Sequence, residues 1–335
     1  MTNRERVGAA LSHRQPDKVP YDVRFTCKAR EAMARYLHDP AFSDKIGNCF
    51  SFLRPCAGGS QYRRVRGELW ADEFGVLWDK SVDRDIGVVA NRLVSLEEAG
   101  TFRLPDAGDP SRFESFAGEI AGDPEGFFVV SIGFSLFERA WTLCGMENLL
   151  AGMVVQKPAV HTLLDRITEF DLALIDRSCA YDIQMVRLGD DWGHQRGLLM
   201  GPQLWREFIK PRIGRLFERI RARGKRVMLH SCGKIDEILP DLIECGLDVF
   251  NPFQPEVMDV RAIKKRHGRQ LSFYGGISTQ RTLPFATVRQ VKEEVKSLLE
   301  EIGKGGGYIA SPAHDIPGDA RPENVAAMLE VLQSQ

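Results

Sequence analysis

From about residue 110 the sequence keeps one rhythm, and that rhythm constrains the fold more than any other feature. Apolar, β-branched runs of strand length alternate with amphipathic stretches of helical length. The runs are FFVVSIGF (127–134), IQMVRLGDD (183–191), KRVMLHSCG (225–233), LDVFNPFQ (247–254), LSFYGGIS (271–278) and GYIASPAH (307–314). Helical patterns cover 158–178, 202–223, 234–245, 284–302 and 322–333. Strands separated by helices of this length pair in parallel, because a parallel neighbour needs a long crossover. Upstream, VPYDVRF is a short β-rich run finishing around Arg24, and the middle segment holds a weaker one, so the count reaches seven or eight. A closed (β/α)8 TIM barrel, an α/β fold with a helix after every strand, explains that number better than an open sheet. No G-x-G-x-x-G follows the first strand, which weakens a dinucleotide-binding alternative.

The N-terminal third decorates this plan. Thr2 with Glu5 has the form of a capping box and opens a short helix that must stop before Pro16. Residues 27–39 read as helical. The segment from about 49 to 105 has Gly58-Gly59 and short alternating runs such as FGVLWDK and IGVVANRLV, the pattern of β-hairpins inserted into a larger fold. Residues 1–335 are therefore expected to form a single barrel domain.

Nearly every strand finishes in residues that a core would not select. Arg24, Ser135, Asp190-Asp191, His230 with Cys232, Asn251, Gln254, Tyr274-Gly275-Gly276 and His314 all stand where a strand passes into its loop. In a barrel these positions converge on the C-terminal mouth, where active sites are built. Loop formation alone suits Gly275-Gly276, and suits Arg24, His230 and Cys232 less well. Side chains two apart on a strand share a face, so His230 and Cys232 can both reach one ion. His314, on the last strand, is the best third ligand. A Cys–His nucleophile pair and two ordinary buried residues are the other readings, and all three stay open at this point. Asp190 and Asp191, being adjacent, face opposite ways; one of them, with Asp191 favoured, is the candidate catalytic carboxylate. Arg24, Gln195, Asn251, Gln254 and Tyr274 are candidate substrate contacts, while Trp192 and His194 either line the pocket or pack beneath a loop.

Composition excludes several classes of function. A net charge of −1 gives no electrostatic case for nucleic acid or an anionic membrane surface. No apolar run approaches the ~18–20 residues that span a bilayer, and the charged start lacks a signal-peptide core. Seven scattered cysteines do not make a disulfide framework, which points to a reduced, cytoplasmic protein. The glycines of IGKGGGYIA fit a helix-to-strand turn better than a phosphate cradle, and RIGRLFERIRARGKR reads as the solvated face of an amphipathic helix.

GDDWGHQRGLLMGPQLWREFIKPR, VMLHSCGKIDEILPDLIECGLDVFNPFQPE, FYGGISTQRTLPF and YIASPAHDIPGDARPENVAAM, with NRERVGAALSHRQPDKVPYD at the start, resemble the uroporphyrinogen decarboxylase superfamily. The resemblance implies a single (β/α)8 barrel and one of two chemistries. True uroporphyrinogen decarboxylases use no metal and hold an eight-carboxylate tetrapyrrole with arginines from an Arg-Gln-Ala-Gly-Arg motif. Here that place reads RFTCKAR: Arg24 matches the first arginine, Lys28 replaces the second, and the centre is missing. Lysine lacks the bidentate fork suited to carboxylates, which argues against the porphyrinogen substrate. The corrinoid-dependent methyltransferases bind zinc through a His-x-Cys pair and a C-terminal Cys. His230 and Cys232 match the pair, and His314 stands at the third position. A carboxylate carried by some members falls near Gln254 in this chain. The resemblance thus implies Zn2+ on His230, Cys232 and His314, and methyl transfer from a small substrate, an O-methyl ether, to a corrinoid (cobalamin). The corrinoid would sit on a separate partner protein, since no Asp-x-His-x-x-Gly motif is present. The alternative is a metal-free decarboxylase of uroporphyrinogen or a smaller acid. Barrels of this family often pair, so a homodimer is a further expectation.

Overall fold

A computed structural model describes residues 1–335. Seven strands, β1 (Phe50–Leu53), β2 (Phe127–Ile132), β3 (Met185–Gly189), β4 (Arg226–His230), β5 (Val249–Phe253), β6 (Ser272–Ile277) and β7 (Tyr308–Pro312), form one sheet in chain order. Every neighbouring pair is parallel. Residues 19–25 bridge its two edges. On one side the Asp22 amide donates to the Ala310 carbonyl at 3.0 Å and the Ala310 amide to Pro20 at 2.9 Å. On the other side the Cys49 amide, just ahead of β1, donates to Tyr21 at 3.0 Å. This eighth stave makes only isolated bridges, in part because Pro20 has no amide to offer. The expected α/β barrel is what the chain forms.

Side-chain alternation sorts each strand into two faces. Phe127, Val129, Met185, Met228, Val249, Tyr274 and Ile309 point inward and pack with Val7 and Leu11 of the N-terminal helix, Asn3–Leu11. That helix carries the expected capping box at Thr2 and Glu5. The opposite faces join the helices in a cluster of 78 buried side chains. One step further along the inward faces stand Arg187, His230 and Asn251, so a polar layer sits above an apolar one.

The element boundaries follow local chemistry. The helical pattern over 202–223 divides into Gly201–Phe208 and Lys210–Ala222, because Pro211 has no amide to continue the first helix. The pattern over 284–302 begins as a helix at Val288, capped by Thr287, and widens to a π-helical turn at Leu298–Ile302. Two helices, Leu136–Cys144 and Met146–Val155, precede the long helix Lys157–Ser178. The middle segment is partly barrel: Phe50–Leu53 is a stave, and the decoration is an antiparallel sheet of Arg63–Arg66, Leu69–Ala71, Leu77–Asp79 and Val88–Val89. No helix is long and apolar enough to cross a membrane.

Two sequence features resolve as structural. The amides of Gly305, Gly306 and Gly307 are taken by Gln15, Gly303 and Ala10, and Lys264 Nζ donates to the carbonyls of Gly306 and Gly307 at 2.8 and 3.0 Å. The run is a turn with no amide left for a phosphate. The basic helix Lys210–Ala222 is less solvated than its pattern suggests. Arg212 is buried and paired with Asp165 at 2.7 Å, and Arg215 and Arg219 pair with Glu169 and Asp176.

Candidate metal centre

His230 closes β4, and Cys232 follows in the turn. His230 Nε2 lies 3.5 Å from Cys232 Sγ. Across the mouth, from the end of β7, the His314 ring comes within 5.7 Å of the His230 ring, centroid to centroid. One ligand atom from each of the three lies within 4.8 Å of the others. A tetrahedral zinc with ~2.0–2.3 Å bonds needs about 3.3–3.8 Å between ligand atoms. The His230–Cys232 pair already meets that spacing, and the wider gaps involve His314, whose exposed side chain can close them by rotation.

The surroundings of His230 select its metal-binding form. Asn251 Nδ2 donates to the Tyr274 carbonyl at 3.1 Å, which leaves Oδ1 as the acceptor facing His230. His230 Nδ1 therefore donates to Asn251 Oδ1 at 2.6 Å, and the lone pair resides on Nε2, toward Cys232. Burial holds the imidazole down to about 4, so it is neutral. The Cys232 thiol is pushed up by burial and then by Asp191. Asp191 Oδ1 accepts the Cys232 amide at 2.8 Å and lies 4.0 Å from His230 Nε2. A buried thiolate beside a carboxylate is unfavourable alone and favourable around a divalent cation. The donor set fits zinc.

The turn is fixed by backbone crowding. Gly233 has φ +88°, and a Cβ there would lie 2.3 Å from Gly193 C and 2.6 Å from His194 N. The loops leaving β3 and β4 cross backbone to backbone, and only glycine allows it.

The other expected residues divide between wall and support. The cavity at the mouth holds about 720 Å3 and is lined by Arg24, Asp191, His230 and His314, with Phe25, Tyr62, Phe74, Phe134 and Phe170 among its apolar surfaces. Asp190 faces away from it, as adjacent positions require. It is fully buried and accepts the Phe137 amide at 3.0 Å, the Glu138 amide at 2.7 Å and Trp192 Nε1 at 2.5 Å. Asp190 thus anchors the start of the helix Leu136–Cys144, and burial pushes its carboxyl up to about 7.

Of the five expected substrate contacts, only Arg24 lines the cavity. Asn251 braces His230. Gln254 Oε1 accepts the Gly233 amide at 3.2 Å. Tyr274 donates to Asp22 Oδ2 at 2.7 Å, and Arg24 Nε donates to the same oxygen at 2.9 Å. These inward polar groups are occupied in holding ligands and arginine in place. Gln195 is exposed on the turn between Gly193–His194 and Gly197–Leu198, outside the wall, as is His194. Trp192 is buried and packs on Trp205 at 5.4 Å. Lys28 is exposed and off the wall.

Three wall groups escaped sequence reasoning: Arg187, Glu138 and the Arg139–Asp72 ion pair. Arg187 had a signal, a charged residue at an inward position of the apolar run MVRLG. Glu138 stands in the first helical turn after β2, its carboxyl pushed well up by burial and then by Asp191 and Asp190.

Residues 129–335 match the family model described as uroporphyrinogen decarboxylase (URO-D). The chain belongs to the uroporphyrinogen decarboxylase family. Within that family it is 25% identical over 277 residues to the uroporphyrinogen decarboxylase of Coxiella burnetii, covering 78% of this chain and 73% of the relative. It is 23% identical over 194 residues to the uroporphyrinogen decarboxylase of Magnetococcus marinus, covering 56% and 52%. To the methylcobamide:CoM methyltransferase of Methanosarcina barkeri it is 28% identical over 187 residues, covering 56% and 52%. The chain spans about half the length of the last two. A solved methyltransferase from Methanosarcina mazei superposes with a TM-score of 0.71 at 17% identity, covering 100% of this chain and 99% of that one. It shares the barrel fold. The family relatives thus include both decarboxylases and a methyltransferase.

Proposed function

We propose that this family member is a zinc-dependent methyltransferase moving a methyl group between a small O-methylated substrate and a corrinoid carried by a separate protein. The observation that carries the reading is the convergence of His230, Cys232 and His314 on one point of the cavity wall. Metal-free decarboxylation does not call for three metal-type donors gathered at one point, whereas a bound divalent cation does. Nor does the cavity suit an eight-carboxylate substrate, because its five arginines are outnumbered by eight acidic side chains. Two of those arginines already hold carboxylates, Arg24 with Asp22 and Arg139 with Asp72. The sheet over 63–89 belongs to the same barrel domain on this reading, since Trp78 packs on Phe134 at 5.0 Å above the mouth.

His230 Nε2, Cys232 Sγ and His314 would hold the zinc, which would supply Lewis acidity toward an ether oxygen that gains negative charge as its methyl group leaves. Asn251 holds the His230 lone pair on Nε2. Asp191 fixes the Cys232 turn by accepting its amide, which makes it a positioning residue. Glu138, whose carboxyl is pushed well up by burial and by Asp191 and Asp190, is the candidate proton donor to the departing oxygen.

Metal analysis of the purified protein, followed by transfer from methyl ethers to cob(I)alamin, tests the proposal. One zinc per chain and transfer that disappears in His230→Ala and Cys232→Ala are the expected results. Full transfer by a zinc-free variant would refute it.

A further inference from the structure

Of the five arginines lining the cavity, Arg187 alone is both set back from the exposed rim and without an ion pair. Arg187 points inward from β3, pairing in register with Met228 of β4 and Ser131 of β2. Its Nε is buried with no hydrogen-bond partner, and no carboxylate pairs with it, whereas Arg24 and Arg139 are paired and Arg30 and Arg54 are exposed at the rim. The guanidinium lies 5.1 Å from the Phe52 ring, with Arg24 at 4.4 Å from the same ring, and Asp315 of the same wall acts on its charge without forming an ion pair. Burying an arginine without an acceptor costs stability. A fold that keeps one on a cavity wall is completed by an anion from outside. A planar oxyanion suits the guanidinium fork, and a carboxylate meets it with two parallel hydrogen bonds.

The second constraint is the distance to the metal centre. His230 pairs with Gly189, two residues beyond Arg187, which is roughly 6.6 Å along a strand. Gly189 lines the cavity and brings no side chain to obstruct that path. Phe25, Phe74, Phe134 and Phe170 give the same space apolar faces that accept an organic body between the two ends.

We propose that Arg187 anchors a carboxylate of the methylated substrate, so that the substrate class is a small ether acid rather than a neutral ether. This rests on the methyl-transfer reading for the methyl group alone; the anion subsite rests on Arg187. The charge-assisted pair accounts for roughly tenfold to hundredfold in affinity.

The test is calorimetric titration of the zinc-loaded full chain with 4-methoxybenzoate and with its neutral analogue 4-methoxybenzamide. The acid is expected to bind roughly tenfold to hundredfold more tightly. Arg187→Met should abolish the preference and Arg187→Lys keep part of it, both with unchanged zinc content. Equal affinity for acid and amide in the unsubstituted protein, no binding of either at millimolar concentration, or a preference that survives Arg187→Met would each overturn the subsite. Should Arg187→Met fail to fold, the acid–amide comparison on the unsubstituted protein still decides. Methyl transfer to cob(I)alamin is scored separately on the same samples. Acid-selective binding without transfer from any ether overturns the methyl-transfer reading and leaves the subsite standing. Transfer from neutral ethers with no acid preference does the reverse.

Discussion

At the scale of single residues, the metal centre depends on groups that never touch the metal. Asn251 sets the tautomer of His230 through a 2.6 Å hydrogen bond. Asn251→Leu should lower zinc affinity roughly 10–100-fold, measured by competition with a chromogenic chelator; an unchanged affinity would remove Asn251 from the site. Gly233 is pressed against the Gly193 backbone, so Gly233→Ala must push the Cys232 turn outward. Reduced zinc occupancy and a lower melting temperature are expected together, and a variant with full occupancy would contradict the crossing of the two loops. Lys264 gives a pH signature away from the site. Burial pushes its ammonium down to about 8 from the ordinary 10.5. Between those pH values the unfolded chain retains a proton that the folded chain has released, so stability rises with pH across the window. The unfolding free energy relative to Lys264→Met should therefore increase from pH 8 to 10.5; a flat difference would mean that Lys264 is not desolvated.

At the scale of elements, the sheet over the mouth is fastened to the barrel by the ion pair of Asp72 and Arg139 at 2.7 Å, both nearly inaccessible, with Arg139 3.9 Å from the Phe74 ring. Arg139→Leu strands a buried carboxylate and should cost about 3–5 kcal/mol in urea unfolding, while Arg139→Leu with Asp72→Leu together should recover much of that loss. A double variant no more stable than the single one would show that the pair is not what holds the sheet. The barrel strands were legible in sequence because a buried parallel strand is a continuous apolar run bounded by turn residues. The two irregular staves were harder. Phe50–Leu53 is four residues long among hairpin-like runs, and residues 19–25 pair only through isolated bridges, so neither has a local period to betray its partners. The split at Pro211 is a local signal, because proline has no amide to carry the first helix onward.

At the scale of the whole molecule, zinc and fold should be linked. Chelation is expected to lower the melting temperature of the protein and added zinc to restore it, by an amount that grows with free zinc and reaches about 2.7 kcal/mol at a hundredfold excess over Kd. The shift should be smaller in His314→Ala, the ligand contributed from the far side of the mouth. A melting temperature indifferent to zinc would disprove a site shared between β4 and β7.

The sequence by itself determined the barrel and the His-x-Cys spacing, since strand and helix periods are local properties and two ligands on one strand need no partner to be seen. It also determined that Asp190 and Asp191 must part company. Only the tertiary structure decided which polar strand ends reach substrate space and which serve as braces. Asn251, Gln254 and Tyr274 end their strands in the same way as Arg24, yet each is taken up by a partner elsewhere in the barrel and none lines the cavity. Arg187 is the converse, an inward side chain in an apolar run for which the fold supplies no partner. Hydrogen-bond satisfaction is settled between residues far apart in the chain, and no pattern within one strand encodes it.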